Sequence, residues 1–313
     1  MKLTGATAIA AGDSFECALM SDGTVQCWGD NSVGELGNGS TANAFTPTTV
    51  PNLSGVKAIS AGGSTACAVL SNGTVQCWGH NGNGQLGNGT KKDSFVPVTV
   101  SGVSGARSVA VGVYHACALV SGSEVQCWGA GTYGSLGNGS TSDSTTAVFV
   151  SGLSQVIAIG AGYDVTCAVL GPGPVRCWGH NQYGELGIGT TQGPSTCGSD
   201  GASCALTPQA VIGIDDAAAV AVGGYYACAL HSSGTVSCWG LNTSGELGSN
   251  GTKPSSVPLT VSNLTNAISI SGNEEHVCAV TSSAALECWG NNIFGETGTG
   301  STSPVLTPTV VHL

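Results

Sequence analysis

Short apolar runs recur along the whole chain, separated by clusters of Gly, Asn, Asp and Ser. One stretch, VKAISAGGSTACAVLSNGTVQCWGHNGNGQLGNGTKKDSFVPVTV, shows the pattern. Its apolar runs are about five residues long, rich in β-branched residues and bounded by turn formers, which predicts short strands. No segment has the 3.6-residue apolar rhythm of a helix. The unit repeats. Cys-Trp-Gly occurs at Trp28, Trp78, Trp128, Trp178, Trp239 and Trp289, with four intervals of 50 residues and one of 61. The extra residues lie around GPSTCGSDGASCALTP, an insertion near 190–206.

Each unit divides into four strands: a VPVTV type (Val96–Val100), a VKAISA type (Val56–Ala61) and the two arms of the hairpin ACAVL-SNG-TVQCWG. Four strands at a constant period describe a propeller blade. The expected fold is an all-β, six-bladed β-propeller forming a single domain over 1–313. The final run, LTPTVVHL, is of the outer type, and the first, TGATAIAAG, is of the type that follows it. The two terminal strands are therefore expected to complete one blade and close the ring.

Composition narrows the function. The formal net charge is −11, with seven Lys plus Arg against 18 Asp plus Glu. A nucleic-acid partner needs a basic footprint, and anionic membranes need the same. No apolar run reaches the roughly 20 residues of a spanning helix, so membrane insertion is not expected.

Twelve of the 14 cysteines fall in pairs spaced by ten. These are Cys17 with Cys27, Cys67 with Cys77, Cys117 with Cys127, Cys167 with Cys177, Cys228 with Cys238, and Cys278 with Cys288. If Ser21–Gly23 is a three-residue turn closed by Gly, Leu19 faces Val25 and Cys17 faces Cys27 as a non-hydrogen-bonded pair. Such pairs bring side chains closest, as a cross-strand disulfide requires. Buried free thiols and zinc are the alternatives, but zinc ligands usually lie two to four residues apart. Cys197 and Cys204 would staple the insertion. Full pairing implies an oxidising compartment: extracellular, cell-surface or periplasmic.

The Ala-Gly before each hairpin, the DGTV-x-x-WG hairpin (Asp22 to Gly29) and the GELGNG loop (Gly34 to Gly39) resemble the regulator of chromosome condensation repeat family. The GELG or GQLG element returns at Gly84, Gly184 and Gly245, and weakens to GSLG at Gly134 and GETG at Gly295. The resemblance covers essentially the whole chain. It implies a propeller, in this family often of seven blades, so six copies are a departure. It leaves function open, because members include an exchange factor on chromatin, a plant photoreceptor and a secreted β-lactamase-inhibiting propeller. The acidic charge argues against the exchange factor, and six Trp in one repeating column read as blade packing rather than the clustered tryptophans of the photoreceptor, so the secreted inhibitor fits best.

Two loops per repeat vary most, and strand direction puts both at one end of every blade. The first lies between the Ala-Gly and the first Cys, the second directly after Trp-Gly. They hold all six tyrosines, Tyr114, Tyr133, Tyr163, Tyr183, Tyr225 and Tyr226, with Phe15, Phe294, His80, His115, His180, His276, Glu16, Asp164 and Glu275. Tyr among Ser, Gly and Asn makes an adaptable binding surface. These residues are the expected partner-binding set. His115 and His276, two before a Cys, fit packing between blades equally well.

A monomeric scaffold for a protein partner is the expected function. A lectin-like propeller, with Tyr stacked on sugars, or a structural module of a larger surface protein is the alternative. Loops that differ between blades favour one composite protein site. An enzyme is least expected, and neither cofactor nor metal is called for. Glu35, Glu185, Glu246 and Glu296 recur in register, as residues do that satisfy their own loops. Only Arg107 and Arg176 are available for a substrate carboxylate. His80 and His180, which could share a metal with Asp30, belong to non-adjacent units, and no ligand spacing supports such a site.

Overall fold

The structure, a computed structural model, describes residues 3–171 and 173–312. Within each blade every paired strand is antiparallel to its partner. Blade 1 is β1 (Ala6–Ala11), β2 (Phe15–Met20), β3 (Val25–Gly29) and β4 (Ala44–Thr49); blade 2 is β5 (Val56–Gly62), β6 (Thr65–Leu70), β7 (Val75–Gly79) and β8 (Ser94–Thr99). Blade 3 is β9 (Ser108–Val111), β10 (His115–Val120), β11 (Glu124–Gly129) and β12 (Ser144–Phe149). Blade 4 is β13 (Val156–Ala161), β14 (Val165–Leu170) and β15 (Val175–His180), with β16 (Ser195–Cys197) and β17 (Ala202–Ala210). Blade 5 is β18 (Ala217–Val222), β19 (Tyr226–His231), β20 (Val236–Gly240) and β21 (Ser255–Thr260). Blade 6 is β22 (Ala267–Gly272), β23 (His276–Thr281), β24 (Leu286–Gly290) and β25 (Val305–Val310). The insertion adds β16 outside β17 and extends blade 4 to five strands. The first strand of each blade lines a central channel through Ile9, Ile59, Val109, Ile159, Val220 and Ile270.

The hairpin register follows from its turn. Met20 N–H donates to Thr24 O at 2.9 Å, Gly23 takes φ +79°, and Cys17 lies opposite Cys27. Their Cα atoms are 4.1 Å apart, the narrow pair of an antiparallel ladder. The same geometry recurs in every blade. Cys67 is bonded to Cys77, Cys117 to Cys127, Cys167 to Cys177, Cys228 to Cys238 and Cys278 to Cys288, with Cα separations of 4.0–4.1 Å. Cys197 and Cys204 form the seventh bridge, in the insertion. All the expected pairs are therefore disulfides, and every bridge stays within one blade.

Blades adhere through the tryptophan column. Trp78, Trp128, Trp178, Trp239 and Trp289 are fully buried, and each indole N–H donates to a carbonyl in the GxLG loop of the preceding blade at 2.7–2.9 Å. The glycine two residues on from that carbonyl admits the ring: a Cβ on Gly137 would lie 2.7 Å from the Trp178 indole nitrogen. Beside the ring sits a fully buried Leu of the same loop, Leu36, Leu86, Leu136, Leu186 or Leu247.

The expected closure by shared terminal strands does not occur. β25 pairs with β24 and β1 with β2, so both end blades are complete on their own and neither terminal strand crosses to the other blade. Among the described residues, the seam between blades 6 and 1 also lacks the contacts of the other five. First strands pack β1 on β5, β5 on β9, β9 on β13, β13 on β18 and β18 on β22, but β22 makes no comparable contact with β1. Trp28 is half-buried and, among the described residues, its indole N–H has no acceptor. Gly298 has Val311 beside it where its counterparts have a Trp. On blade 6, Val280 and Leu286 are 38% and 37% exposed, while their counterparts Val169 and Val175 are buried.

Candidate functional site

Both variable loops lie at the same end of the blades, as the contacts between them show. Tyr163, from the loop before β14, sits edge-on to Tyr225, from the loop before β19, with ring centroids 5.2 Å apart. Tyr225 meets Tyr183 at 5.5 Å and His180 at 5.6 Å; His180 ends β15 just after Trp178, and Tyr183 lies in the loop that follows. Tyr133, from the corresponding loop of blade 3, is edge-on to His180 at 5.2 Å, and Tyr114 reaches Tyr163 at 6.4 Å. Five tyrosines and one histidine from blades 3, 4 and 5 thus form one contiguous aromatic surface around Tyr225. Tyr163 extends it towards blade 6 by donating its hydroxyl to Glu274.

The surface is acidic. Asp164 is a largely buried residue, 8% exposed, whose carboxyl oxygens keep some contact with solvent, and among the described residues no hydrogen bond reaches them. Burial pushes its pKa up to about 6, with the Glu185 charge adding to the rise and His180 opposing it. Burial also raises the Tyr133 and Tyr225 phenols, and charges that include Asp164 add to the shift. Burial alone would lower His180. Its 2.8 Å contact to Glu185 and the nearby Asp164 and Asp200 charges outweigh that, and its pKa rises. At the channel mouth, Asp13 is pushed up to about 6 by burial and by Glu274. None of the seven Lys and Arg lies in either loop set.

The expected binding residues divide in three. Tyr114, Tyr133, Tyr163, Asp164, His180, Tyr183 and Tyr225 come together as described. Phe15, His115 and Tyr226 are fully buried and do not present a surface. Phe15 packs in the core between blades 1 and 2. His115 Nε2 meets Thr166 Oγ1 of blade 4 at 2.7 Å, and burial lowers its pKa to about 4. Tyr226 donates its hydroxyl to the Asn273 and His276 carbonyls of blade 6 at 2.8 and 2.6 Å. These three are struts between blades. Glu16, His80, Glu275, His276 and Phe294 remain outside the cluster. His80 contacts Gln85 at 2.9 Å, Glu275 accepts from Asn291, and Phe294 stands 85% exposed on blade 6.

The recurrent glutamates serve their own loops: Glu35, Glu185, Glu246 and Glu296 accept the N–H of Val33, Tyr183, Ser244 and Phe294. The Asn two residues beyond the Gly of five Trp-Gly elements is also scaffold. Asn31 Nδ2 donates to Ser40 O and Ala42 O, and its Oδ1 accepts Leu36 N–H. Sequence reasoning missed Asp200. The insertion brings it to Tyr133, whose hydroxyl lies 3.3 Å away; only the odd repeat length hinted at it. Among the described residues, no three His, Cys, Asp or Glu converge as a metal site would require.

Comparison with known proteins agrees with the architecture. The chain resembles human WBSCR16 (TM-score 0.87, 23% identity, covering 100% of this chain and 83% of that one). It also resembles Prp20p of Saccharomyces cerevisiae (TM-score 0.83, 23% identity, 98% and 76%), a protein described by its binding to Gsp1p and histones. A more distant likeness is the CRINKLY WD40 ectodomain of the Arabidopsis thaliana receptor kinase ACR4 (TM-score 0.54, 18% identity, 96% and 82%). No curated protein matches the sequence. The profile of the regulator of chromosome condensation (RCC1) repeat matches residues 22–69, 72–119, 124–169, 173–230 and 233–280, and a second profile of the same repeat matches 6–35, 56–85, 106–135 and 217–246. With most of its length under that profile, the chain belongs to the regulator of chromosome condensation (RCC1) repeat family.

Proposed function

We propose that this propeller is an extracellular scaffold that recognises a protein partner through the aromatic surface of blades 3 to 5, without catalysis. The observation that carries the reading is the continuity of the surface. Residues from five loops in three blades meet in one patch, and each loop differs in sequence. A ligand for identical blades would need identical loops; a composite patch suits one irregular partner. Tyr supplies large contact area at low entropic cost and is frequent among binding hot spots. Seven disulfides support an oxidising compartment. The mode would be that of the secreted β-lactamase-inhibiting propeller.

The test is affinity capture from the native extracellular milieu with the wild-type chain and with Tyr183→Ala/Tyr225→Ala, beside a glycan array. A protein retained by the wild type and lost by the variant supports the reading. Retention by both, or glycan binding that falls stepwise as single tyrosines are removed, refutes it.

A further inference from the structure

Within that proposed mode, we infer that the aromatic cluster around Tyr225 and Asp164 is a seat for one cationic side chain of the partner, the guanidinium of Arg or the ammonium of Lys. The inference rests on the function proposed above but can fail separately from it.

Asp164 carries the argument. Its residue is largely buried, which thins the hydration of the carboxylate, yet its oxygens still open to solvent, so a cation arriving from outside can reach them. The neighbouring carboxylate is already committed: Glu185 contacts His180 through Oε1 and the Tyr183 N–H through Oε2 at 2.8 Å each. Asp164 has no such partner among the described residues. The side chains around it are aromatic, and the electron-rich faces of phenol rings attract cations. The titratable and charged groups around it are His180 and Glu185 of its own blade, Tyr133 of blade 3, Asp200 of the insertion and Tyr225 of blade 5.

The stoichiometry of charge limits the ligand. Glu185 is engaged by His180 and the Tyr183 N–H, and Asp200 by the Tyr133 hydroxyl and the Ala202 N–H, which leaves Asp164 as the carboxylate of this group that no donor reaches. A hard divalent cation requires several converging oxygen ligands, and among the described residues no three acidic or imidazole groups converge here. A neutral sugar would stack on the rings but leave Asp164 uncompensated. A single side-chain cation on a protein satisfies both the charge and the rings. No Lys or Arg of the chain itself lies in these loops to occupy the place.

The probes are the blocked tripeptides acetyl-Gly-Arg-Gly-amide and acetyl-Gly-Lys-Gly-amide, with citrulline and acetyl-lysine versions as neutral isosteres. They are titrated into the intact oxidised chain at low salt, and ring resonances of Tyr133, Tyr225 and His180 are followed by NMR. The charged peptides should shift these resonances saturably and the neutral isosteres should not. Asp164→Asn should weaken binding about tenfold or more. Tyr225→Leu should weaken it with Asp164 intact, and Asp22→Asn, in a hairpin turn, should leave it unchanged. Near-UV circular dichroism identifies any variant that fails to fold; Asp164→Glu, which keeps the charge, then stands in, with partial binding expected. Equal shifts from citrulline, unchanged binding in Asp164→Asn, or saturation of the same resonances by calcium chloride at lower concentration would each overturn the inference. A protein partner whose basic residues can all be neutralised without loss of affinity would also overturn it, while leaving protein recognition standing.

Discussion

Replacing Trp28 and Trp178 separately by Ala isolates what one blade contributes to the next. Both side chains hold the same position in their blades, so the losses within each blade largely cancel. Trp178 also lies under blade 3, fully buried, with its N–H on Ser135 O at 2.8 Å. Burying a Trp removes about 200 Å² from water, or about 5 kcal/mol at 25 cal/mol per Å², an upper bound. The hydrogen bond contributes about 1 kcal/mol more. Trp178→Ala should therefore cost about 3–5 kcal/mol. Trp28 lacks both the covering blade and the acceptor, so its replacement should cost less than half as much. The assay is urea denaturation of the oxidised variants, with acrylamide quenching of the wild type to count accessible indoles. One of the six Trp should quench readily and five should resist. Equal costs for the two variants, together with no readily quenched Trp, would mean that blades 6 and 1 meet and the seam is closed.

Mass spectrometry of the unreduced chain should find seven disulfides; widespread alkylation of free thiols would refute the pairing. Gly162→Ala should destabilise by about 3 kcal/mol or more, because its Cβ would lie 1.9 Å from the Gly223 carbonyl. Asn273→Gly, at the equivalent place facing the seam, should change little, and thermal melts of both variants test the contrast. Partner affinity should fall as pH drops through about 6, where Asp164 and Asp13 gain protons. Stability moves oppositely. Asp164 binds its proton more tightly in the folded state than at its ordinary pKa of 3.8, so its contribution should rise as pH falls from about 6 to 4. Titrations of binding and of melting temperature between about pH 7 and 4 check both signs.

The fold was legible because a blade is a local object. The turn at Ser21–Gly23 sets the register, the register sets Cys17 opposite Cys27, and the period repeats the result through to Cys278 and Cys288. Ring closure is not local, since it sums the angles between successive blades. Three residues nevertheless mark the seam. Asn273 stands where other blades have Gly against a following carbonyl, Thr297 replaces the buried Leu beside the Trp, and Glu16 takes a place held elsewhere by Ala, Thr or Val. Within the candidate site, pooling whole loops hid the alternation of the strand. Phe15, His115 and Tyr226 are each two residues before a buried Cys and so share its inward face. Tyr114 and Tyr225, one residue earlier, stay at the surface edge. Asp164 was legible by position alone; its lack of a partner depends on loops from three blades and an insertion.

Confinement of every disulfide to a single blade has a kinetic consequence. When denaturant unfolds the oxidised chain, six hairpins keep their central residues stapled at the native register. The slow register search within each hairpin is then already restricted before refolding begins. The remaining search is for outer strands to add and for neighbouring blades to dock, both between segments close in sequence. Folding from the oxidised state should resemble the growth of a short chain of beads, able to start at any adjacent pair and spread in both directions. From the reduced state, each bead must first find its own register.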